Sequence, residues 1–387
     1  MNTTHYEVDG HVPEYKVKTD VYTELLRRRY LNKLVKRFIE LCDGKLVVNG
    51  SDEEKNRRML HEVHSIFIFT KETHDDVFFT ETSMYDPEKV VPFLRRQRVQ
   101  VSGTVLSAIC RRMDAASNEC YKKVSKVRKG RRIAVRVDTS GGRYVNLSLE
   151  GVSGLEKYYR YFNLTRSVYG HLRKLYTVNN HGYGGELADL DEFHRRLYLV
   201  FYRYYSLSAG STQASVLPRF KLLFKKYLGI KVELFGSAIN TSSFRYGSIF
   251  TDVERYFGSL GSFFDMDIRR GFFELNPPFD PSIINRVYER LSSWLSKGSA
   301  ELLFLVVLPT SLVGDDGALS GFLRARVDLE KGQFPYVHYK YDFSQSRVRA
   351  IVDTTVSIYH NDFVKEVQRN NVQNFARLLL VEQRRVD

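Results

Sequence analysis

Apolar residues recur at helical spacing from Val21 to Leu41, where Leu25, Leu26, Leu34, Val35, Phe38 and Ile39 share one stripe and Arg27, Arg28, Arg29, Lys33, Lys36 and Arg37 make a basic face. That pattern predicts a helix. Residues 1–20 lack it and read as a flexible arm. Helices mixed with short strands are expected as far as Leu149. Val152–Tyr176 and Leu190–Ser206 return to the helical period, and Val178–Leu187 between them is a Gly/Asn loop. Arg219–Leu228 predicts a helix stopped by Gly229.

The period changes at Ile230. Val232–Phe235, Phe272–Leu275, Glu301–Leu308, Val337–Phe343 and Thr354–Tyr359 are short apolar runs that predict strands. Ser243–Tyr256, Asp280–Ser296 and Asp362–Val386 predict helices, with Asp280 as an N-cap and Pro281 in the first turn. Strands alternating with helices imply a mostly parallel sheet covered on both faces, the α/β class. The expected organisation is the arm (1–20), a basic, mainly helical domain (21–229) and an α/β domain (230–387).

Composition adds a partner class. Lys and Arg outnumber Asp and Glu by 59 to 45 in 387 residues, a net charge of +14. A neutral metabolite gives no reason for that excess, whereas a polyphosphate or a nucleic-acid strand does. The excess is clustered: from Leu94 to Arg136 there are 13 basic residues against Asp114 and Glu119. Its densest run, Lys122, Lys123, Lys126, Arg128, Lys129, Arg131 and Arg132, is the expected RNA-binding patch, and the same run also reads as a nuclear-localisation signal. Tyr158, Tyr159, Tyr161 and Phe162, like Tyr198, Phe201, Tyr202, Tyr204 and Tyr205, suit either a helix core or a base-stacking surface. Cys42, Cys110 and Cys120 show no paired spacing, which points to a reducing compartment. His61 and His64 near Cys42 are too few for a metal site, so no metal is expected. The N-terminus lacks a secretory core and the longest apolar run, Leu302–Leu308, is too short to span a bilayer. A nuclear or cytoplasmic protein without membrane contact is expected.

The sharpest chemical signal is Asn276-Pro277-Pro278-Phe279, after a strand and before a capped helix. Ligands collect at the carboxyl ends of strands in doubly wound sheets. Two prolines stiffen the turn and leave carbonyls pointing outward. Such a corner suits transfer of a methyl group to an exocyclic adenine amine. The Asn276 side-chain oxygen and the Pro277 carbonyl can accept the two N–H bonds, freeing the nitrogen lone pair and stabilising the charge that develops there. Phe279 can stack on the base, a contact worth about 1–3 kcal/mol.

Around this corner, VELFGSAIN (232–240), YFGSLGSFFD (256–265) and GFFELNPPFDPSIINRVYERL (271–291) resemble the phosphorylated-CTD-interacting-factor family of cap-specific adenosine N6-methyltransferases. PRFKLLFKKYLGI (218–230), LLFLVVLP (302–309) and DTTVSIYHND (353–362) extend the resemblance to about residues 200–362. It implies a Rossmann-like class I methyltransferase domain beside a helical domain, S-adenosyl-L-methionine as donor, and capped RNA beginning with adenosine as acceptor, with transcription or capping machinery as further partners. By the motif, Asn276, Pro277, Pro278 and Phe279 take the catalytic and base-holding roles. Phe235, Gly236 and Ser237 take the place of the cofactor loop, and Asp265, with Asp267 as rival, would hold the donor's ribose. Since the one Trp is Trp294, the family's WW module is not expected. An acceptor adenine in internal RNA or DNA, and an inactive RNA- or polymerase-binding relative, are the alternatives. The FGS and NPPF segments are only 40 residues apart, from Gly236 to Asn276, which leaves no room for a full set of intervening strands.

Overall fold

The computed structural model describes residues 6–10, 13–42, 68, 74–89, 91, 101–127, 133–181, 189–207, 214–314, 317–339, 346–349 and 352–382. The first twenty residues are not a loose arm where they are described. Strand β1 (Glu7–Asp9) pairs antiparallel with residues 267–270, Val17 is buried, and the Thr19 hydroxyl donates to Asp252 at 2.5 Å. Gly10 passes so close to Leu260 that a Cβ there would stand 1.9 Å from its carbonyl oxygen. Periodicity cannot report a tether made of backbone pairing.

Helices α1 (Val21–Cys42), α2 (Gly103–Ser125), α3 (Arg166–His181) and α4 (Leu190–Ser206) make the N-terminal part with a three-stranded antiparallel sheet, β2 (Ala134–Asp138), β3 (Tyr144–Glu150) and β4 (Phe162–Thr165). Val152–Tyr176 is therefore not one helix. Gly151 and Gly154 turn the chain at φ 80° and 81°, and Phe162 and Leu164 alternate inward on β4 before α3 begins. Nor is the basic face of α1 wholly basic surface. Arg27 is fully buried against Glu24 and Asp76, and Arg203 of α4 bridges Glu24 to Asp252 in the same enclosed cluster.

The C-terminal part continues with β5 (Ser215–Val216) and α5 (Pro218–Leu223), whose last turn widens over Phe224–Leu228 and is ended by Gly229 at φ 72°. Then come β6 (Val232–Glu233), α6 (Thr251–Glu254), β7 (Asp267–Leu275), α7 (Pro281–Lys297), β8 (Leu302–Pro309), β9 (Leu323–Leu329), β10 (Tyr336–Tyr339), β11 (Ser346–Arg349), β12 (Thr354–His360) and α8 (Glu366–Glu382). The main sheet runs β7–β8–β12–β9, with β1 and β6 sharing the outer edge of β7. β6, β7 and β8 are parallel; β12 is antiparallel to both its neighbours. β5, β10 and β11 form a small separate sheet. Beyond β6, single parallel bridges join Glu233 to Tyr246 and Tyr246 to Ser259. The two strands that had no room between FGS and NPPF are thus reduced to one bridging residue each. The expected helix Ser243–Tyr256 gives way to them, leaving Thr251–Glu254 and a short 3-10 turn. Gly247 is the physical reason: its backbone lies against Leu234, where a Cβ would come within 2.4 Å of the carbonyl oxygen.

Successive residues of β7 and β8 enter opposite cores. Phe273, Leu275, Phe304 and Val306 pack on Ile284, Val287, Leu291 and Trp294 of α7, while Phe272, Leu303, Leu305 and Val307 meet Phe224, Leu228, Phe375 and Leu379. The N-terminal core does not stop at residue 229. Ala238, Ile239, Tyr246, Phe250, Val253 and Phe257 belong to the same cluster as α1, α2 and α4, so the expected boundary separates strands but not cores. No helix among the described residues is long and apolar enough to cross a membrane.

Candidate functional site

β6 and β7 run side by side with Val232 opposite Phe273 and Glu233 opposite Glu274, and the Leu234 N–H donates to the Glu274 carbonyl at 2.8 Å. Two residues past the last pair stand Phe235 and Asn276. The FGS and NPPF segments therefore leave the sheet together, at adjacent carboxyl ends. From β6 the chain returns outward through Tyr246 and Ser259; from β7 it goes the other way, to β8. The strand order reverses between β6 and β7, which is where doubly wound sheets open a crevice.

At that point the Asn276 amide is half engaged. Its Nδ2 donates to the Ala214 carbonyl at 3.3 Å, and its Oδ1 is buried without a donor among the described residues. Leaving such an acceptor unpaired costs about 1–3 kcal/mol. Pro277 is buried and Pro278 half-buried. The Pro278 carbonyl accepts the Asp280 N–H at 2.7 Å, closing the turn, and the Asp280 carboxylate caps α7 through the N–H groups of Ser282 and Ile283. The Pro277 carbonyl accepts no hydrogen bond among the described residues, so two carbonyl oxygens stand unused at one corner. Phe279 meets the buried Tyr336 ring edge-on, centroids 5.8 Å apart, and the Tyr336 hydroxyl is tied to Thr354 at 3.0 Å. Tyr336 pairs across to Val216, next to the strand that begins after Ala214, so β5 and β10 brace both ends of the motif. Neither Ala214 nor Tyr336 was singled out from the sequence. Ala214 contributes only a carbonyl, which no residue pattern marks.

In the FGS segment the donors are already used. Gly236 N–H bonds to Gly247 O at 2.8 Å, Ser237 N–H to Asn240 Oδ1 at 2.8 Å, and Ala238 N–H to Glu254 Oε2 at 2.7 Å. Gly236 lies against Tyr246, where a Cβ would come within 3.3 Å of the ring. A loop whose N–H groups are taken cannot cradle phosphates as a glycine-rich nucleotide loop does. It suits a ligand without them. Asp265 closes a 3-10 turn before β7, and its neighbours Phe263 and Phe264 bring their rings 4.8 and 6.1 Å from that of Phe235, so this turn lies beside the FGS segment. Asp267 starts the same strand and is ion-paired to Arg269 at 3.1 Å.

Beside the ends of β6 and β7 lies an ionic group that sequence patterns do not mark. Lys221 Nζ stands 2.6 Å from Glu233 Oε2 and also reaches Asn240 O at 3.4 Å, and Glu233 accepts from Ser242 and Ser243. Burial opposes the Glu233 charge, but Lys221 and the serine donors outweigh it and hold that carboxyl below its usual range. Burial, with Glu233 beside it, pushes the Glu274 carboxyl well above the usual range. Glu254, fully enclosed, is raised by burial to about 7 against the pull of its Tyr204 and Ala238 bonds.

Lys122, Lys123 and Lys126 are exposed at the end of α2, with Lys123 3.9 Å from Glu119; Arg128, Lys129, Arg131 and Arg132, like His61 and His64, lie outside the described residues. Of the aromatic runs, Phe162, Tyr198, Phe201, Tyr202 and Tyr204 are core residues, while Tyr161 is 43% exposed.

The family described as the phosphorylated CTD interacting factor 1 WW domain matches residues 171–339. That stretch holds Trp294, on α7, as its one tryptophan, so what is matched is the sheet with its flanking helices. Two curated relatives, from Mus musculus and Homo sapiens, are each named mRNA (2'-O-methyladenosine-N(6)-)-methyltransferase. They are 26% identical over 168 and 161 residues, or 43% and 40% of this chain. The matches span 23% and 22% of the relatives' own lengths. The chain resembles the phosphorylated CTD interacting factor family.

Proposed function

We propose that this chain is an S-adenosyl-L-methionine-dependent RNA methyltransferase that modifies the N6 amine of adenosine, with the first transcribed adenosine of capped RNA as its substrate. The names of the relatives support the reaction class. The observation that carries the reading is the buried, donorless Oδ1 of Asn276 at the β6–β7 switch point. Counting Tyr246 and Ser259 as the second and third strands, the order is third, second, first, fourth, fifth, seventh, sixth, with the seventh alone running against the rest. The first five follow the doubly wound order. This arrangement supports a class I methyltransferase domain.

The FGS loop is consistent with the donor. S-adenosyl-L-methionine carries no phosphate, and the FGS backbone offers no free N–H at 236, 237 or 238 for one. When bound, it supplies an electrophilic methyl on a sulfonium. The chain's part is to hold the amine. Ala214 fixes the Asn276 amide so that Oδ1, rather than Nδ2, faces the acceptor, and the Pro277 carbonyl offers a second site for the other N–H. Both oxygens grow more favourable as positive charge builds on nitrogen, so they lower the barrier rather than merely binding the base. Phe279, backed by Tyr336, limits the base to one plane. The basic end of α2 supplies a face for RNA phosphates.

The test is transfer of radiolabelled methyl to adenosine-initiated oligomers with and without a cap, followed by mass spectrometry of the digested product. Label on N6 of the first nucleotide of capped RNA alone is the expected result. Equal labelling of uncapped or internal adenosine would replace the acceptor, and absence of labelled adenosine with every oligomer would remove the enzymatic reading.

A further inference from the structure

Glu254 touches neither strand end, yet it holds the FGS loop that follows β6. Its Oε2 accepts the Ala238 N–H at 2.7 Å, one residue after Phe235-Gly236-Ser237, and its Oε1 accepts the hydroxyl of Tyr204 from helix α4. The Tyr204 hydroxyl in turn bonds the buried Ser237 side chain. Glu254, Tyr204, Ser237 and Ala238 thus close a ring of contacts between the N-terminal helices and the FGS loop, and Glu254 within it is fully enclosed. We propose that Glu254 is a positioning residue for methyl-donor binding: its carboxylate clamps the Ser237–Ala238 backbone to helix α4 and so fixes the donor-side wall. This rests on the methyltransferase reading of the site.

The physical case is one of inventory. A buried carboxylate costs several kcal/mol unless it is fully hydrogen-bonded. An amide or an apolar residue would fill the same space without that cost. The groups around Glu254 are acidic or neutral: Asp252 on its own helix, Tyr204 from α4 and Tyr246 from the bridging segment, with the Asp252 charge committed to Arg203. No lysine or arginine is bonded to Glu254 among the described residues. Its charge is held by two strong donors, one on the loop and one on the helix. Burial raises its pKa to about 7, so the clamp loosens when the carboxyl takes a proton near neutrality. In the ionised form both oxygens accept; in the protonated form one must donate, and a neighbouring donor loses its partner.

The probe is S-adenosylhomocysteine, whose affinity is measured calorimetrically across neutral pH for the full chain, with unfolding checked by circular dichroism. Wild type should bind more weakly as pH falls through about 7. Glu254→Ala should weaken binding by about ten- to a hundredfold, the loss that follows removal of hydrogen bonds to a charged group. Glu254→Gln keeps one acceptor but cannot titrate, so its affinity should lie between the two and be flat with pH. Tyr204→Phe removes a donor that favours the charged form, so the pH of half-loss should move upward. That shift is a readout a purely structural role would not produce. Asn276→Ala should bind S-adenosylhomocysteine like wild type while failing to transfer methyl. A folded Glu254→Ala with wild-type affinity, a Glu254→Gln that keeps the pH slope, or an unmoved midpoint in Tyr204→Phe overturns the proposal alone. A wild type that does not bind S-adenosylhomocysteine overturns the methyltransferase reading, and this proposal with it.

Discussion

Replacing Arg203 by Met tests how the two parts of the chain are joined. Arg203 is fully buried and spends its guanidinium on two carboxylates. It reaches Glu24 of α1 through Nε at 3.0 Å and Nη2 at 2.7 Å, and Asp252 of α6 through Nη1 and Nη2, both at 2.8 Å. Burial works against the Asp252 charge, but Arg203 more than compensates and holds its pKa down from 3.8 to about 2. With only 12% of the Asp252 side chain exposed, that shift corresponds to about 2 kcal/mol of folding free energy, present above the unfolded value and lost as pH falls through the folded one. Met fills the volume but leaves Glu24 and Asp252 facing each other. Stranding one side of a buried ion pair costs about 3–5 kcal/mol. The expected result in urea unfolding at neutral pH is a loss of that size. The gap to wild type should narrow between pH 3.8 and 2, where wild type gives up what the variant already lacks. A loss below about 1 kcal/mol, typical of a surface pair, with no pH dependence, would show that the cluster does not join the two parts.

Other expectations follow from single sites. Gly258 sits at φ 106° with a Cβ position 2.1 Å from the Phe244 carbonyl oxygen, so Gly258→Ala should be among the most destabilising small changes, readable as a lowered Tm. Phe279→Ala should weaken RNA binding by about 1–3 kcal/mol while leaving S-adenosylhomocysteine affinity intact; an unchanged RNA affinity would mean the ring only packs on Tyr336. Lys122→Gln with Lys123→Gln should lower the salt slope of RNA binding by about 0.7 for each phosphate no longer neutralised, and an unaltered slope would assign the patch elsewhere. Because burial raises the folded pKa of Glu274, its contribution to stability is complete below the unfolded value of 4.5 and is lost as pH rises through the folded one. Glu274→Gln should abolish that alkaline decline, and a decline that persists would point to another group.

What the sequence disclosed was local. Leu190–Ser206 was legible to the residue because its apolar positions keep the helical period, and in the structure Asp189 caps its start. Asp280 and Gly229 marked a helix start and a helix stop through side-chain and backbone preferences that need no tertiary partner. The NPPF corner stood out because it sits between a predicted strand and a capped helix. What failed was non-local. Tyr246 and Ser259 join a sheet through isolated single-residue bridges, which leaves no alternation to read. Arg27 looked like surface charge because its partners Asp76 and Glu24 could only be matched in three dimensions.

The one-residue bridges at Tyr246 and Ser259 also bear on what can be cut away. An ordinary doubly wound domain supports its outer strands by laddered backbone pairing and its own crossover helices. Here the outer half of the sheet hangs on Tyr246, Phe250, Val253 and Phe257, whose side chains are set in the packing of α1, α2 and α4. A fragment beginning at residue 230 would keep every motif of the crevice and lose the mould that shapes its outer wall. The minimal folding unit is therefore larger than the segment that carries the motifs, and the helices in front of it act as its scaffold.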